Sequence, residues 1–173
     1  MARMCCSNEM QGSTRRIVGT YGYMAPEYAM EGIFSTKSDV FSFGVLLLEI
    51  VSGLRNSGFH RRENSLSLLG YAWNLWKEER WFQLVDQSFV NNCPMKEVRR
   101  CIHVALMCIQ ENATDRPTMS EVVAILGGDS MNLPDPKQPA FFTVRVSVGN
   151  DINSDLNKSC SVNMVTNSIP NGR

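Results

Sequence analysis

Apolar positions concentrate between residues 38 and 128 and fall into four helix-like patterns. The densest run is "SDVFSFGVLLLEIVSG", residues 38–53, where Val40, Phe41, Phe43, Val45 to Leu48, Ile50 and Val51 are apolar. On a helix these positions cover every face, and a helix that is apolar all round must be buried all round. Ser38 is its candidate N-cap, Asp39 lies where the helix dipole favours a carboxylate, and Gly53 is a candidate C-cap. The stretch "LSLLGYAWNLWKEERW" carries Leu66, Leu69, Trp73 and Trp76 at steps of three and four, which predicts an amphipathic helix. "CPMKEVRRCIHVALMCIQ" repeats the pattern through Val98, Cys101, Ile102, Ala105 and Ile109, with Pro94 near its start. Thr118 and Glu121 form a capping box for a short last helix. Its apolar face reads as Met119, Val122, Val123 and Leu126, and Gly127-Gly128 ends it.

The flanks read differently. Residues 1–37 hold several glycines and no sustained period, so they are expected to be loop. No strand pattern stands out within residues 38–128, and the fold class is therefore mainly α. From residue 129, Pro134, Pro136, Pro139 and Pro170 punctuate a segment rich in Asn and Ser. Residues 129–173 are expected to be a disordered, low-order C-terminal tail in which "AFFTVRVSV" carries only a weak strand signal.

Composition adds limits. A chain of 173 residues suits one domain with a tail, and 43% hydrophobic with 20% charged residues is ordinary for a globular core. Lys plus Arg equals Asp plus Glu, which points away from a nucleic-acid or membrane-surface partner. The N-terminus has no apolar run of signal-peptide length. The longest apolar stretch, residues 40–51, is interrupted by Ser42, Gly44 and Glu49 and falls short of the ~20 residues of a membrane span. No transmembrane segment is expected, and the chain reads as soluble and intracellular. The six cysteines include no CxxC and no zinc-ligand spacing, so no metal site is expected. Cys101 and Cys108, seven apart, share a helical face and read as core thiols.

Three motifs then occur in order: "GTYGYMAPEY", "KSDVFSFGV" and "DRPTM". Together they resemble the C-terminal lobe of the eukaryotic protein-kinase fold, over residues 1–128. The wording is closest to the plant receptor-like serine/threonine kinases, among them the S-domain (lectin-type) group. The resemblance implies that Gly19, Thr20, Gly22 and Tyr23 belong to the loop that seats the substrate residue after the phosphoacceptor. Thr20 matches the threonine that contacts the catalytic aspartate and lysine. Glu27 and Arg116 match a structural ion pair, for which the planar fork of arginine suits a carboxylate. Asp39 matches the aspartate that opens the central helix and accepts hydrogen bonds from the catalytic loop. Without that loop it either faces water or serves only the helix N-terminus. Ser7, Ser13 and Thr14 fall where the family carries activation-loop phosphosites, beside Arg15 and Arg16; serines and threonines are also ordinary in any loop.

Phosphoryl transfer requires a Gly-rich loop, a strand lysine, a catalytic aspartate and metal-binding Asn and Asp residues. The sequence contains no G-x-G-x-x-G, no Val-Ala-x-Lys, no His-Arg-Asp and no Asp-Phe-Gly. Met1-Ala2-Arg3 resembles the segment that follows Asp-Phe-Gly, so the fold is expected to be truncated before the catalytic loop. No catalytic, cofactor or metal residue is expected in this chain; ATP and Mg belong to the parent family. The expected function is that of a piece of a receptor-like serine/threonine kinase, catalytically incompetent by itself. The alternatives are a non-catalytic module that binds substrates or regulators, and a non-functional truncated gene product. Its expected partners are protein substrates or regulators of the parent kinase, on the cytoplasmic side of the plasma membrane. Uncovered apolar faces on the 38–53 helix imply a marginally stable or partner-dependent chain.

Overall fold

The segment expected to be loop contains three short elements. In the computed structural model, which describes residues 11–57, 67–90, 92–128 and 134–141, strand β1 (Gln11–Ser13) pairs antiparallel with β2 (Ile33–Ser35), Gly12 lying opposite Phe34. Between them helix α1 (Pro26–Glu31) starts on a proline and stops at Gly32, whose N–H closes back on Tyr28. Proline at the first helical position sacrifices no hydrogen bond, because that N–H has no partner in any helix. Strands of three residues and a helix of six are too short to impose a hydrophobic period, which is why the pattern passes over them.

Helix α2 (Thr36–Ser52) begins earlier than the apolar run suggests. Ser35, not Ser38, is its N-cap: the Ser35 hydroxyl accepts from the Lys37 N–H at 3.1 Å, and the Ser35 N–H donates to Ser38 Oγ at 3.1 Å. Ser38 thus closes a reciprocal box from the third helical position. An all-round apolar helix calls for burial on every face, but part of the apolar surface of α2 is uncovered, as expected for this chain. Phe41, Val45 and Leu48 are fully buried, but Leu46 is 47% and Ile50 61% exposed.

Helix α3 (Leu68–Lys77) is capped by Ser67, whose hydroxyl accepts from the Gly70 N–H. It buries Leu68, Leu69, Ala72 and Leu75, while Trp73 and Trp76 are only half-buried. Leu66 lies outside the described residues. A 3-10 turn (Trp81–Leu84) and the one-turn helix α4 (Gln87–Val90) lead to α5 (Met95–Cys108). Helix α6 (Met119–Leu126) has the expected Thr118–Glu121 box. Its buried residues are Val122 and Ile125; Met119 and Val123, expected in the core, face out. Eight residues packed along one edge bury only one i, i+3 pair.

The core has two parts. Phe41, Val45, Leu48, Leu69, Ile102 and Leu106 form the main cluster between α2, α3 and α5. Each such side chain contributes on the order of 1.5–3 kcal/mol when taken from water. Val40, Val104, Cys108, Val122 and Ile125 form a second cluster between α2, α5 and α6. Cys108 belongs to the second cluster, whereas Cys101 is half-buried against the first. Gly44 of α2 packs tightly against the end of α5: an added Cβ would stand 2.6 Å from Cys108 Cβ and 2.8 Å from Ile109 Cγ2.

The reading of residues 129–173 as low-order tail does not hold for residues 134–141. These lie against α5 and the turn after it: Pro139 bridges Gln110, Ala140 N–H donates to the Ile109 carbonyl at 3.1 Å, and Ala140 is buried. Prolines remove backbone donors and preset an extended conformation, so a proline-spaced segment can pack without regular structure. Most of "AFFTVRVSV" lies outside the described residues.

Candidate functional site

The loop of residues 19–23 is fixed from several sides by groups outside it. Tyr23 N–H closes a turn on the Thr20 carbonyl at 3.2 Å. Gly22 adopts φ +94°, a left-handed conformation that favours glycine, and a Cβ there would stand 2.9 Å from Asn56 Nδ2. Asn56 Nδ2 donates to the Gly22 carbonyl at 2.8 Å, and Ser42 Oγ donates to the Tyr23 carbonyl at 2.7 Å. Glu49 Oε1 accepts from both the Tyr23 hydroxyl and the Asn56 N–H, each at 2.6 Å. One residue before the loop, Val18 is clamped by Tyr28: its N–H donates to the Tyr28 hydroxyl and its carbonyl accepts from it. Gly19, Thr20 and Tyr21 remain exposed at the tip, Tyr21 at 73%.

Glu27 and Arg116 meet although 89 residues separate them. Arg116 Nη1 donates to Glu27 Oε1 at 2.7 Å and Nη2 to Oε2 at 2.9 Å, a bidentate pair. The remaining donors go to backbone: Nε to Gln110 O at 2.8 Å, Nη1 to Lys37 O at 3.1 Å and Nη2 to Glu111 O at 2.9 Å. All five donors of the guanidinium are therefore used. Ser38 Oγ donates to Glu27 Oε1 at 3.0 Å, and Lys37 Nζ donates to the Arg116 carbonyl. The Phe41 ring lies 5.1 Å from the guanidinium carbon. The Arg116 side chain is wholly buried and that of Glu27 is 18% exposed.

The electrostatics follow from these contacts. Burial pushes the Glu27 carboxyl up, but the Arg116 hydrogen bonds and charge, with the help of Ser38, outweigh it and hold it below its ordinary value. The Tyr23 phenol is raised, first by its bond to the Glu49 carboxylate, then by burial and the Glu49 charge.

The other sequence candidates are scattered. Asp39 is exposed in the first turn of α2, and its side chain makes no hydrogen bond to another described residue. Ser13 is exposed at the end of β1. Thr14 is half-buried; its N–H donates to the Gly32 carbonyl, and its hydroxyl bonds both backbone groups of Arg16 at 3.2 Å. Ser7 lies outside the described residues. Sequence reasoning missed Tyr28, Ser42, Glu49 and Asn56 as supports of the loop. Ser42 and Glu49 carried a signal: polar side chains inside an otherwise apolar helix require partners.

At its tip the site exposes backbone groups, the Thr20 hydroxyl and the Tyr21 ring. Among the described residues no group of three or more His, Cys, Asp or Glu side chains could hold a metal ion. Among them, no helix is long and apolar enough to cross a membrane.

Comparison with known proteins gives this geometry a context. Residues 1–126 match the family model for protein tyrosine and serine/threonine kinases, and residues 129–173 match a domain of unknown function, DUF3403. A G-type lectin S-receptor-like serine/threonine-protein kinase of Arabidopsis thaliana is 50% identical across 100% of this chain, which covers 20% of that relative. A second of the same description, SRK, is 49% identical, again across 100% of this chain and 22% of the relative. Cysteine-rich receptor-like protein kinase 10 from the same organism is 50% identical over 82% of this chain and 21% of the relative. The chain thus spans about a fifth of the length of the curated relatives it matches. Among solved structures, the pseudokinase domain of BIR2, an immune regulator of the RLK/Pelle family, superposes with a TM-score of 0.55 at 28% identity. That match covers 63% of this chain and 33% of the other.

Proposed function

The chain belongs to the protein tyrosine and serine/threonine kinase family, and from that premise we propose that it forms the substrate-binding side of the C-terminal lobe of a receptor-like serine/threonine kinase. The observation that carries this reading is the bidentate Glu27–Arg116 pair, which fastens the end of the 19–27 segment to the helical base. In this reading residues 19–23 seat the substrate residue after the phosphoacceptor. Thr20, exposed at the tip, faces the catalytic aspartate of a complete kinase. Glu27 and Arg116 are architectural, Asp39 meets the catalytic loop, and Ser7, Ser13 and Thr14 are sites of activating phosphorylation. The assembled enzyme acts on protein substrates at the cytoplasmic side of the membrane.

Protein kinases use Mg-ATP as phosphoryl donor. The residues present here do not fit that group. The chain holds no Gly-rich loop, no strand lysine of the family pattern and no Asp-Phe-Gly, and the described residues offer no metal-binding cluster. In this reading no step is assigned to ATP on this chain, and the 173 residues alone are catalytically incompetent.

The test is a chimera in which the kinase segment of an active relative that precedes the matched region is joined to this chain. The chimera should phosphorylate serine or threonine in a generic protein substrate, and Thr20→Ala should lower its kcat. Phosphorylation by the purified 173-residue chain alone would overturn the assignment of incompetence. An inactive but folded chimera would overturn the assignment of the lobe.

A second reading, a non-catalytic binding module, is favoured by the support of the loop from within the chain. Glu49, Asn56 and Tyr28 hold residues 18–23 without any catalytic group. Competition between this chain and a full-length relative for one protein substrate, with no phosphorylation, supports that reading over the first.

A further inference from the structure

The turn of residues 110–116 is held from two sides. On its inner side the Gln110 and Glu111 carbonyls accept from Arg116 Nε and Nη2. On its outer side Lys137 spans it: the Lys137 N–H donates to Gln110 Oε1 at 3.4 Å, and Nζ pairs with Asp115 Oδ1 at 2.7 Å. The Gln110 side chain ties the ends together, its Nε2 donating to the Met107 and Asp115 carbonyls. A second route passes through rings. Phe141 meets Phe41 edge to face at 6.3 Å, and Phe41 lies against the Arg116 guanidinium. Residues 134–141 therefore reach Arg116 both through the turn that supplies its backbone acceptors and through the ring beneath its charge.

We propose that residues 134–141 are a detachable intramolecular strap that positions Arg116 for Glu27, seated in the groove formed by residues 109–116 and Phe41. Its recognition chemistry is that of an extended, proline-spaced peptide with no net charge, in which Asp135 offsets Lys137. Ala140 fills a site where it is 2% exposed, a single backbone bond joins Ala140 to Ile109, and the lysine reads Asp115. Three prolines in eight residues limit the conformations lost on docking, which favours binding of so short a segment. The strap is detachable because its charged anchor is exposed: the Lys137 side chain is 67% in water, where ion pairs are weak and screened by salt. A partner that captures the strap would loosen the Glu27 anchor and the loop before it. This assigns a task to part of a segment whose family model carries no function, and it stands on contacts within this chain whether or not the kinase reading holds.

The test is amide hydrogen exchange on the full 173-residue chain and on Lys137→Ala, Lys137→Arg and Ala140→Asp. Ala140→Asp should raise exchange about tenfold in residues 109–118 and 27–31 while leaving residues 81–90 at their original rate. Lys137→Ala should do the same to a smaller degree, and Lys137→Arg should restore protection. Unchanged exchange in residues 109–118 and 27–31 for both Lys137→Ala and Ala140→Asp would overturn the proposal. So would an equal rise in residues 81–90, which would mark general destabilisation rather than positioning.

Discussion

Replacing Glu27 by alanine strips a buried cation of its counter-charge, and the cost can be worked from the pair's surroundings. Two of the five Arg116 donors lose their acceptors; the other three keep the carbonyls of Gln110, Lys37 and Glu111. Breaking one side of a buried ion pair typically costs about 3–5 kcal/mol, because the remaining charge stays desolvated. Arg116 is wholly buried, but the 18% exposure of Glu27 lets water approach from that side. The expected loss is therefore near the lower end, ~3 kcal/mol, or roughly a hundredfold in the folding equilibrium. Glu27→Gln keeps one acceptor oxygen and should lose less. Urea unfolding followed by far-ultraviolet circular dichroism measures both, provided the slope is unchanged. The sign of the pH dependence is a second check. Glu27 titrates lower in the folded chain than at the ordinary 4.5, so its contribution is complete above 4.5 and is lost as pH falls through the lowered value. The gap between wild type and Glu27→Ala should close in that range. A loss within about 0.5 kcal/mol at neutral pH, as for an ordinary surface change, would refute the reasoning.

Three further outcomes are expected. Gly44→Ala should destabilise by ~1–3 kcal/mol, since its Cβ would stand 2.6 Å from Cys108 Cβ; thermal unfolding measures it. Tyr23→Phe removes the bond to Glu49 and should cost ~1 kcal/mol, with faster amide exchange in residues 20–23. In the wild type the phenol's raised value means that its contribution is intact below 10.0 and is lost as pH rises through the raised value, which ultraviolet difference titration follows. Burial pushes the Cys108 thiol up to about 12, so iodoacetamide should spare Cys108 in the native chain and modify all six cysteines in urea.

What the sequence made legible was set by length and by strength of pattern. Helices α2, α3 and α5 are long enough for apolar periodicity to register, and the Thr118–Glu121 box is local enough to read directly. Elements of three to six residues left no periodic trace, so β1, β2 and α1 were invisible. Burial was harder to read than helicity. Val123 and Met119 look like core by composition, yet α6 buries Val122 and Ile125 and packs Leu126 partly against them. In the site, Glu27 and Arg116 could be paired in advance through a family resemblance, not through spacing, since 89 residues separate them. The strap at residues 134–141 was read as tail because its order comes from contacts with Phe41, Gln110 and Asp115, none of which a local pattern contains.

The polar residues of α2 show how the core and the loop are linked. Ser38, Ser42 and Glu49 are spaced four and seven apart, so they share one face of the helix. Each holds a different part of the 19–27 segment: Ser38 the Glu27 carboxylate, Ser42 the Tyr23 carbonyl, Glu49 the Tyr23 hydroxyl. The loop therefore takes its position from α2 rather than from its own conformational preference, which its two glycines leave weak. The position of α2 is in turn set by its contact with α5 at Gly44. A side chain at residue 44 that pushes these helices apart should carry Ser42 and Glu49 with it. Gly44→Ala should thus speed exchange in residues 20–23 as well as lower stability, although residue 44 faces Cys108 of α5 and Ile109 just after it rather than that loop. A Gly44→Ala chain that is less stable but keeps the wild-type exchange of residues 20–23 under native conditions would break this link between core packing and loop position.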